Sequence, residues 1–224
     1  RNYIIPKPFD PRLIATVPPA VAKAALESGV ATAPIEDWDR YIAGLEQRLG
    51  SSQKMVRALH DRAKNSPKKV VFTEADQLDV LKAAQIVFEE KIAHPILLGR
   101  KSTILELKEA IGFQEEVPII DPKEDEQEAV LKQYAELFWE AQKRRGRTLY
   151  DAEKIMRERN YFGAMMVVNG DADAMISGYS RNYPQVVRPI LEITAKKGSK
   201  RRVAATNLML TDYGPIFLSD TTIN

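Results

Sequence analysis

The chain has 224 residues, 44% of them hydrophobic and 29% charged, with a formal net charge of +2. This composition can bury a sizeable core, and its net charge is too small to argue for a nucleic-acid partner. There is no cysteine, which excludes disulfides, thiolate metal sites and a cysteine nucleophile and suits a reducing cytoplasm. The two histidines, His60 and His94, lie far apart, so no histidine-rich metal site is expected. No apolar run approaches the ~20 residues that span a bilayer. No signal peptide is visible, and neither a membrane nor a nucleic acid is expected as a partner.

In chain order, prolines 6, 8, 11, 18 and 19 predict extended backbone over residues 1–19. Pro18 and Pro19 then open an alanine-rich helix, Ala20–Ser28, stopped by Gly29. Pro34 and the pair Glu36–Asp37 start a second helix with Trp38, Tyr41, Ile42 and Leu45 on one face. Gly50–Ser51–Ser52 has the composition of a hinge. A helix follows over Gln53–Ala63, ended by Pro67. Three short apolar strands come next, Val70–Phe72, Pro95–Gly99 and Val117–Ile120, separated by helical patterns around Leu78–Phe88 and Ser102–Ala110. This alternation predicts an α/β fold of three layers, α/β/α, around a mainly parallel sheet.

Val130, Leu131, Tyr134, Leu137, Phe138 and Ala141 form one broad helical stripe, followed by a basic cluster, Lys143–Arg147, broken by Gly146. Thr148 caps a further helix with Ala152, Ile155 and Met156 inward. Ala164–Val168 and Ala174–Ile176 read as strands, and Pro189–Thr194 as helix. Val203–Leu210 and Ile216–Ser219 read as a hairpin around Asp212–Tyr213–Gly214.

The segment from Tyr161 to Pro189 holds the most informative chemistry. Asn169–Gly170–Asp171–Ala172–Asp173 and Ser177–Gly178 place glycines beside acidic and hydroxyl residues, where backbone amides approach a ligand closely at the C-terminal edge of a parallel sheet. The same residues also make ordinary strand-to-helix turns, and both readings stand. Arg188 interrupts an apolar helical run, so its guanidinium is expected to meet phosphate or carboxylate, or to form a structural ion pair. Lys143–Arg147 and Lys196–Arg202 would attract a polyanion such as coenzyme A, or form solvated faces. The chain has neither a G-x-x-x-x-G-K-[ST] phosphate loop nor a G-x-G-x-x-G fingerprint, and no serine–histidine–acid constellation.

From Val70 to Asn224 the sequence resembles the phosphate acetyltransferase and phosphate butyryltransferase family. The matching landmarks are Val71–Glu74, Ile96–Gly99, Lys143–Ala152, Asn160–Met166, Ala172–Gly178, Val187–Arg188–Pro189 and Phe217–Asn224. The resemblance implies an isocitrate dehydrogenase-like fold, two α/β domains around a cleft, with the second domain incomplete here. Tyr3–Leu13, Val21–Ala25 and Ser28–Ala31 resemble the end of a bacterial malic enzyme. Together the two resemblances divide the chain into residues 1–50, a malic-enzyme tail and linker; 51–198, a first α/β subdomain; and 199–224, the start of a second.

Both pieces in this order are typical of hybrid NADP-dependent malic enzymes, cytoplasmic proteins that oxidise and decarboxylate malate. Their second module is thought to sense acetyl-CoA. The chain departs from the catalytic pattern of the acyltransferase family. The family's Arg–Lys pair is Gln142–Lys143 here, and its His-Ser/Thr-Thr-Ala-Asp run is Arg181–Gln185. The family's catalytic Ser–Arg and Asp would fall beyond Asn224, and the malic enzyme's metal-binding acids and its Tyr and Lys pair before Arg1. The chain is therefore expected to be a piece of a longer protein with no complete active site.

The resemblance implies a regulatory module without catalytic or metal-binding residues of its own. Arg188, Gly170, Asp173, Ser177, Gly178 and Lys143 would bind acetyl-CoA or a related acyl-CoA. The partners would be the protein's own malic enzyme module and further copies of the chain, and NADP and Mg or Mn would belong to the parent enzyme. The alternatives are a working phosphate acyltransferase and a purely structural oligomerisation module.

Overall fold

Parallel pairing, which the alternation of short apolar strands and helices demands, is what the computed structural model shows. It describes residues 13–46, 48, 51–194, 204–211 and 213–219. The chain divides into two compact units, residues 62–203 and residues 1–61 with 204–224.

The larger unit is the α/β body. Strands β1 (Lys68–Phe72), β2 (Ala93–Leu98), β3 (Ile119–Ile120) and β4 (Ala174–Ile176) form one sheet in the order β3-β2-β1-β4. Every pairing is parallel, with Val71 opposite Ile96 on one side and Met175 on the other. Alternate residues of β1, β2 and β3 enter two separate cores. Phe72 and Leu97 face α4 (Leu78–Glu89) and α5 (Lys101–Ile111), packing on Leu81, Ala84, Ile104 and Phe113. Val71, Ile96 and Leu98 face the opposite layer, α6 (Glu128–Gln142), α7 (Leu149–Met156), α8 (Arg159–Asn169) and α9 (Tyr183–Thr194). There they meet Leu131, Phe138, Met156, Phe162 and Ile193. Side chains that point to opposite faces at successive positions make this double burial possible.

The chain runs outward from β1 through β2 to β3, then returns through α6, α7 and α8 to add β4 on the other side of β1. The order therefore reverses between β1 and β4, and the helices change face at that point. A crevice opens at the C-terminal ends of strands where the order reverses in this way.

Three sequence expectations need correction. Ala164–Val168 is not a strand but lies in α8, whose buried residues include Phe162, Gly163, Ala164, Met165 and Met166. A run of five apolar residues is too short for periodicity to separate strand from helix. Residues 13–19 are not extended: α1 (Leu13–Glu27) holds Pro18 and Pro19 inside it. The helix carries both prolines despite the amide donors they lack, and it packs on α2 (Trp38–Glu46), with Lys23 Nζ 5.3 Å from the Trp38 ring centre. Ser51 and Ser52 are no hinge but the first residues of α3 (Ser51–Asn65). Gly50, residues 1–12, the basic cluster Lys196–Arg202 and the stretch Arg201–Val203, where a second domain was expected to begin, lie outside the described residues.

The other expected elements are present. Gly146 takes a left-handed conformation, and Thr148 and Asp151 cap α7 reciprocally. The hairpin is β5 (Thr206–Thr211) paired antiparallel with β6 (Gly214–Ser219). No helix among the described residues is long and apolar enough to cross a membrane.

Candidate functional site

Three places in the α/β body gather polar or basic residues. The first is the crevice at the reversal of strand order. Residues 73–76 leave the end of β1 there, and Thr73 and Glu74 are buried. Arg159, at the start of α8, donates from both guanidinium nitrogens to Asp76, at 2.6 and 2.9 Å, and to the Thr73 carbonyl at 3.4 Å. Asn160 is also buried, and its side-chain oxygen accepts from Ser177 Oγ at 2.8 Å.

Glu74 is the centre of this crevice. Its Oε1 accepts from the backbone N–H of Gly178 at 2.7 Å and of Tyr179 at 3.0 Å. Its Oε2 accepts from the Ser180 N–H at 2.7 Å and from the Ser180 hydroxyl. Gly178 has φ +105°, a conformation L side chains rarely adopt, and this turns the three amides toward one point. Burial pushes the Glu74 carboxyl up, but the Ser180 hydroxyl and the three amides outweigh it and hold the group below the ordinary carboxylate value.

The second place is the carboxylate of Glu192 on α9. It accepts from Arg188 Nε at 2.8 Å, Arg147 Nη2 at 2.7 Å and the Tyr161 hydroxyl at 2.9 Å. Burial acts to raise Glu192, and Arg188, Tyr161 and Arg147 hold it below its ordinary value. Burial and the bond to Glu192 push the Tyr161 hydroxyl up to about 12. The side chain of Gln142 is buried and donates to the Glu192 backbone carbonyl at 2.6 Å. Gln142 and Arg188, 46 positions apart, therefore converge on one residue.

The third place is a cavity of about 750 Å³ where the C-terminal ends of α6, α8 and α9 meet. Leu137, Phe138, Met165 and Ile193 give it an apolar lining, and Lys143, Arg144 and Arg145 stand beside it.

The structure distributes the expected ligand residues among these places. Ser177 and Gly178 are in the crevice. Gly170 ends α8 with φ +88°, and Asp173 binds the Lys69 amide at 2.9 Å before β4 begins. Both precede β4 and Ser177 follows it, so Asp173 lies about 13 Å from Ser177 over four residue steps. Arg188 is largely exposed and engaged with Glu192 four residues along the same helix, which is the structural ion pair, the alternative to a ligand partner. Lys143 pairs with Glu140 at 2.6 Å and lies beside the cavity.

Sequence reasoning missed Glu74, Asp76, Arg159, Asn160 and Glu192 as polar centres. Glu192 carried a signal in its four-residue spacing from Arg188 on one helix, and Glu74 and Asn160 fell within family landmarks, but no pattern singled them out as polar centres. Among the described residues no three His, Cys, Asp or Glu side chains group to hold a metal, and no buried side-chain polar atom lacks a partner.

Residues 54–224 match the family described as "Phosphate acetyl/butaryl transferase". The chain belongs to this family. A phosphate acetyltransferase from Thermoanaerobacterium thermosaccharolyticum is 32% identical over 155 residues, covering 69% of this chain and 46% of that protein. The phosphotransacetylase structure from Streptococcus pyogenes matches 77% of this chain and 52% of its own, with TM-score 0.65 and 28% identity. EutD phosphotransacetylase from Staphylococcus aureus gives TM-score 0.66 at 26% identity, over 79% of this chain and 52% of its own.

The similarity also extends beyond the phosphotransacetylase body. The whole chain is 36% identical to the C-terminal part of an NADP-dependent malic enzyme from Salmonella typhimurium, spanning 30% of that protein. The Escherichia coli NADP-dependent malic enzyme matches to the same extent.

Proposed function

We propose that this phosphotransacetylase-like chain is the sensing module of a malic enzyme that oxidises and decarboxylates malate to pyruvate. On this reading residues 1–50 end the malic enzyme module, 51–198 form the first subdomain and 199–224 begin the second. The two subdomains face a cleft in the manner of isocitrate dehydrogenase. NADP and Mg or Mn belong to the part of the parent that this chain does not cover. The parent is a cytoplasmic homo-oligomer, and acetyl-CoA or a related acyl-CoA is the effector.

One observation carries the choice of sensing over catalysis. Where the acyltransferases resembled here have an arginine, Gln142 is buried and held by the Glu192 carbonyl. A neutral amide in that bond offers no bidentate, charge-assisted grip on phosphate. Arg188 is retained and largely exposed beside Glu192, and on this reading it supplies part of an anion-binding surface. An effector must favour one arrangement of the joined modules over another, typically by about 1–3 kcal/mol.

The full-length protein with acetyl-CoA tests this reading. The thermal midpoint should rise, malate oxidation should fall, and a coupled assay should show no acetyl phosphate made from acetyl-CoA and phosphate. Arg188→Ala should weaken acetyl-CoA binding about tenfold or more, the scale of one charge-assisted hydrogen bond. Robust acetyl phosphate formation would favour a working acyltransferase. An unchanged midpoint and an unchanged malate rate across a wide ligand range would end the proposal.

A further inference from the structure

The crevice at the reversal of strand order is where an open parallel sheet ordinarily offers its amides to a ligand. Here three successive N–H groups, from Gly178, Tyr179 and Ser180, and the Ser180 hydroxyl all point at one carboxylate of the same chain. Glu74 itself is only 2% exposed. Converging amides of this kind form an anion seat, and the buried carboxylate inside it is stabilised mainly by fixed dipoles and the Ser180 hydroxyl, with Arg159 near enough to act on its charge. Arg159, the cation of this cluster, is engaged bidentately with Asp76.

We infer that residues 178–180 form an anion-binding site occupied by the chain's own Glu74, which thereby positions the segment leading from β4 into α9. The inference rests on this geometry alone and stands whether or not the module binds an acyl-CoA. A phosphate group cannot take these amides while Glu74 is in place, so any ligand phosphate must be met elsewhere, by side chains such as Arg188. The link to α9 also depends on a negative charge, because four donors converge on two oxygens. In Glu74→Gln the amide nitrogen would point donor hydrogens at donors, whichever way it is turned.

The test uses the full-length protein with two variants and simple anions. Glu74→Ala removes the carboxylate and leaves room for formate or acetate. Its thermal midpoint should fall, and amide exchange at Gly178, Tyr179 and Ser180 should speed up at least tenfold. Formate or acetate should reverse part of both changes, while formamide and acetamide should not, and the parent protein should respond to none of them. If the parent and Glu74→Ala respond alike to anionic and neutral probes, the seat is not an anion site and the inference fails. Should Glu74→Ala not fold, Glu74→Gln decides. Exchange at the three amides as slow as in the parent would overturn the inference, and exchange at least tenfold faster in a folded protein would support it.

Discussion

Gly163 shows how tightly single residues are constrained beneath the crevice. It lies within α8, where a glycine is normally a liability to helix stability. A Cβ there would come within 2.9 Å of Met175 Sδ and 3.0 Å of Thr73 Cγ2. Met175 has some freedom to yield, but Thr73 is completely buried at the end of β1. Overpacking should therefore exceed the gain in helix propensity, and Gly163→Ala is expected to destabilise the protein by about 1–3 kcal/mol. Urea unfolding of parent and variant measures this. An unchanged or higher midpoint would mean that α8 can move off the sheet. Gln142 is constrained in a different way, because its burial is tolerable only while Glu192 supplies an acceptor.

Among the elements, the start of α8 matters most for the site. Glu158 caps the helix by accepting from the Asn160 and Tyr161 amides, and the next two residues reach into the crevice. Arg159 locks α8 to the loop after β1 through Asp76, with side chains 24% and 16% exposed. Removing one member of a pair this enclosed leaves the other charge poorly solvated. Arg159→Ala is expected to cost about 3 kcal/mol, near the low end for a buried pair because both groups keep some water. The double variant Arg159→Ala with Asp76→Ala should be less destabilised than the two single losses added together, as a double-mutant cycle would read. Simple additivity would show that the pair does not couple the two elements.

At the scale of the α/β body, two low-lying carboxylates tie α9 and its approach to the rest. Glu74 holds the approach, and Glu192 gathers Arg147 from the loop after α6, Tyr161 from α8 and Arg188 from its own helix. Both carboxyls lie below the ordinary value of 4.5 in the folded protein. As the pH falls the unfolded chain takes up these protons first, so this contribution is complete above 4.5 and is lost as the pH drops through the lower, folded values. The urea midpoint should be level from neutral pH to about 5.5 and fall below about 4.5. Glu192→Gln should start lower and fall less steeply. A variant that tracks the parent at every pH would show that Glu192 contributes nothing to acid stability.

Strands β1, β2 and β4, the alternation that makes the sheet parallel, the capped α7 and the hairpin were all legible in the order of residues. Each of these rests on local periodicity, turn chemistry or a cap, which neighbouring residues set among themselves. The family was legible for the same reason, since its landmarks fall in order along the chain. Where those landmarks meet was settled only by packing in three dimensions. Ala164–Val168 proved to be helix, which its short apolar run could not reveal because five residues are too few to show a period. Gly170 and Asp173 went to one end of β4 and Ser177 and Gly178 to the other, because the strand runs between them. Glu74 reaches Ser180 across 106 positions, and Gln142 reaches Glu192 across 50. No pattern within a local window encodes a partner at such a distance, because packing of the strands and helices alone brings it into reach.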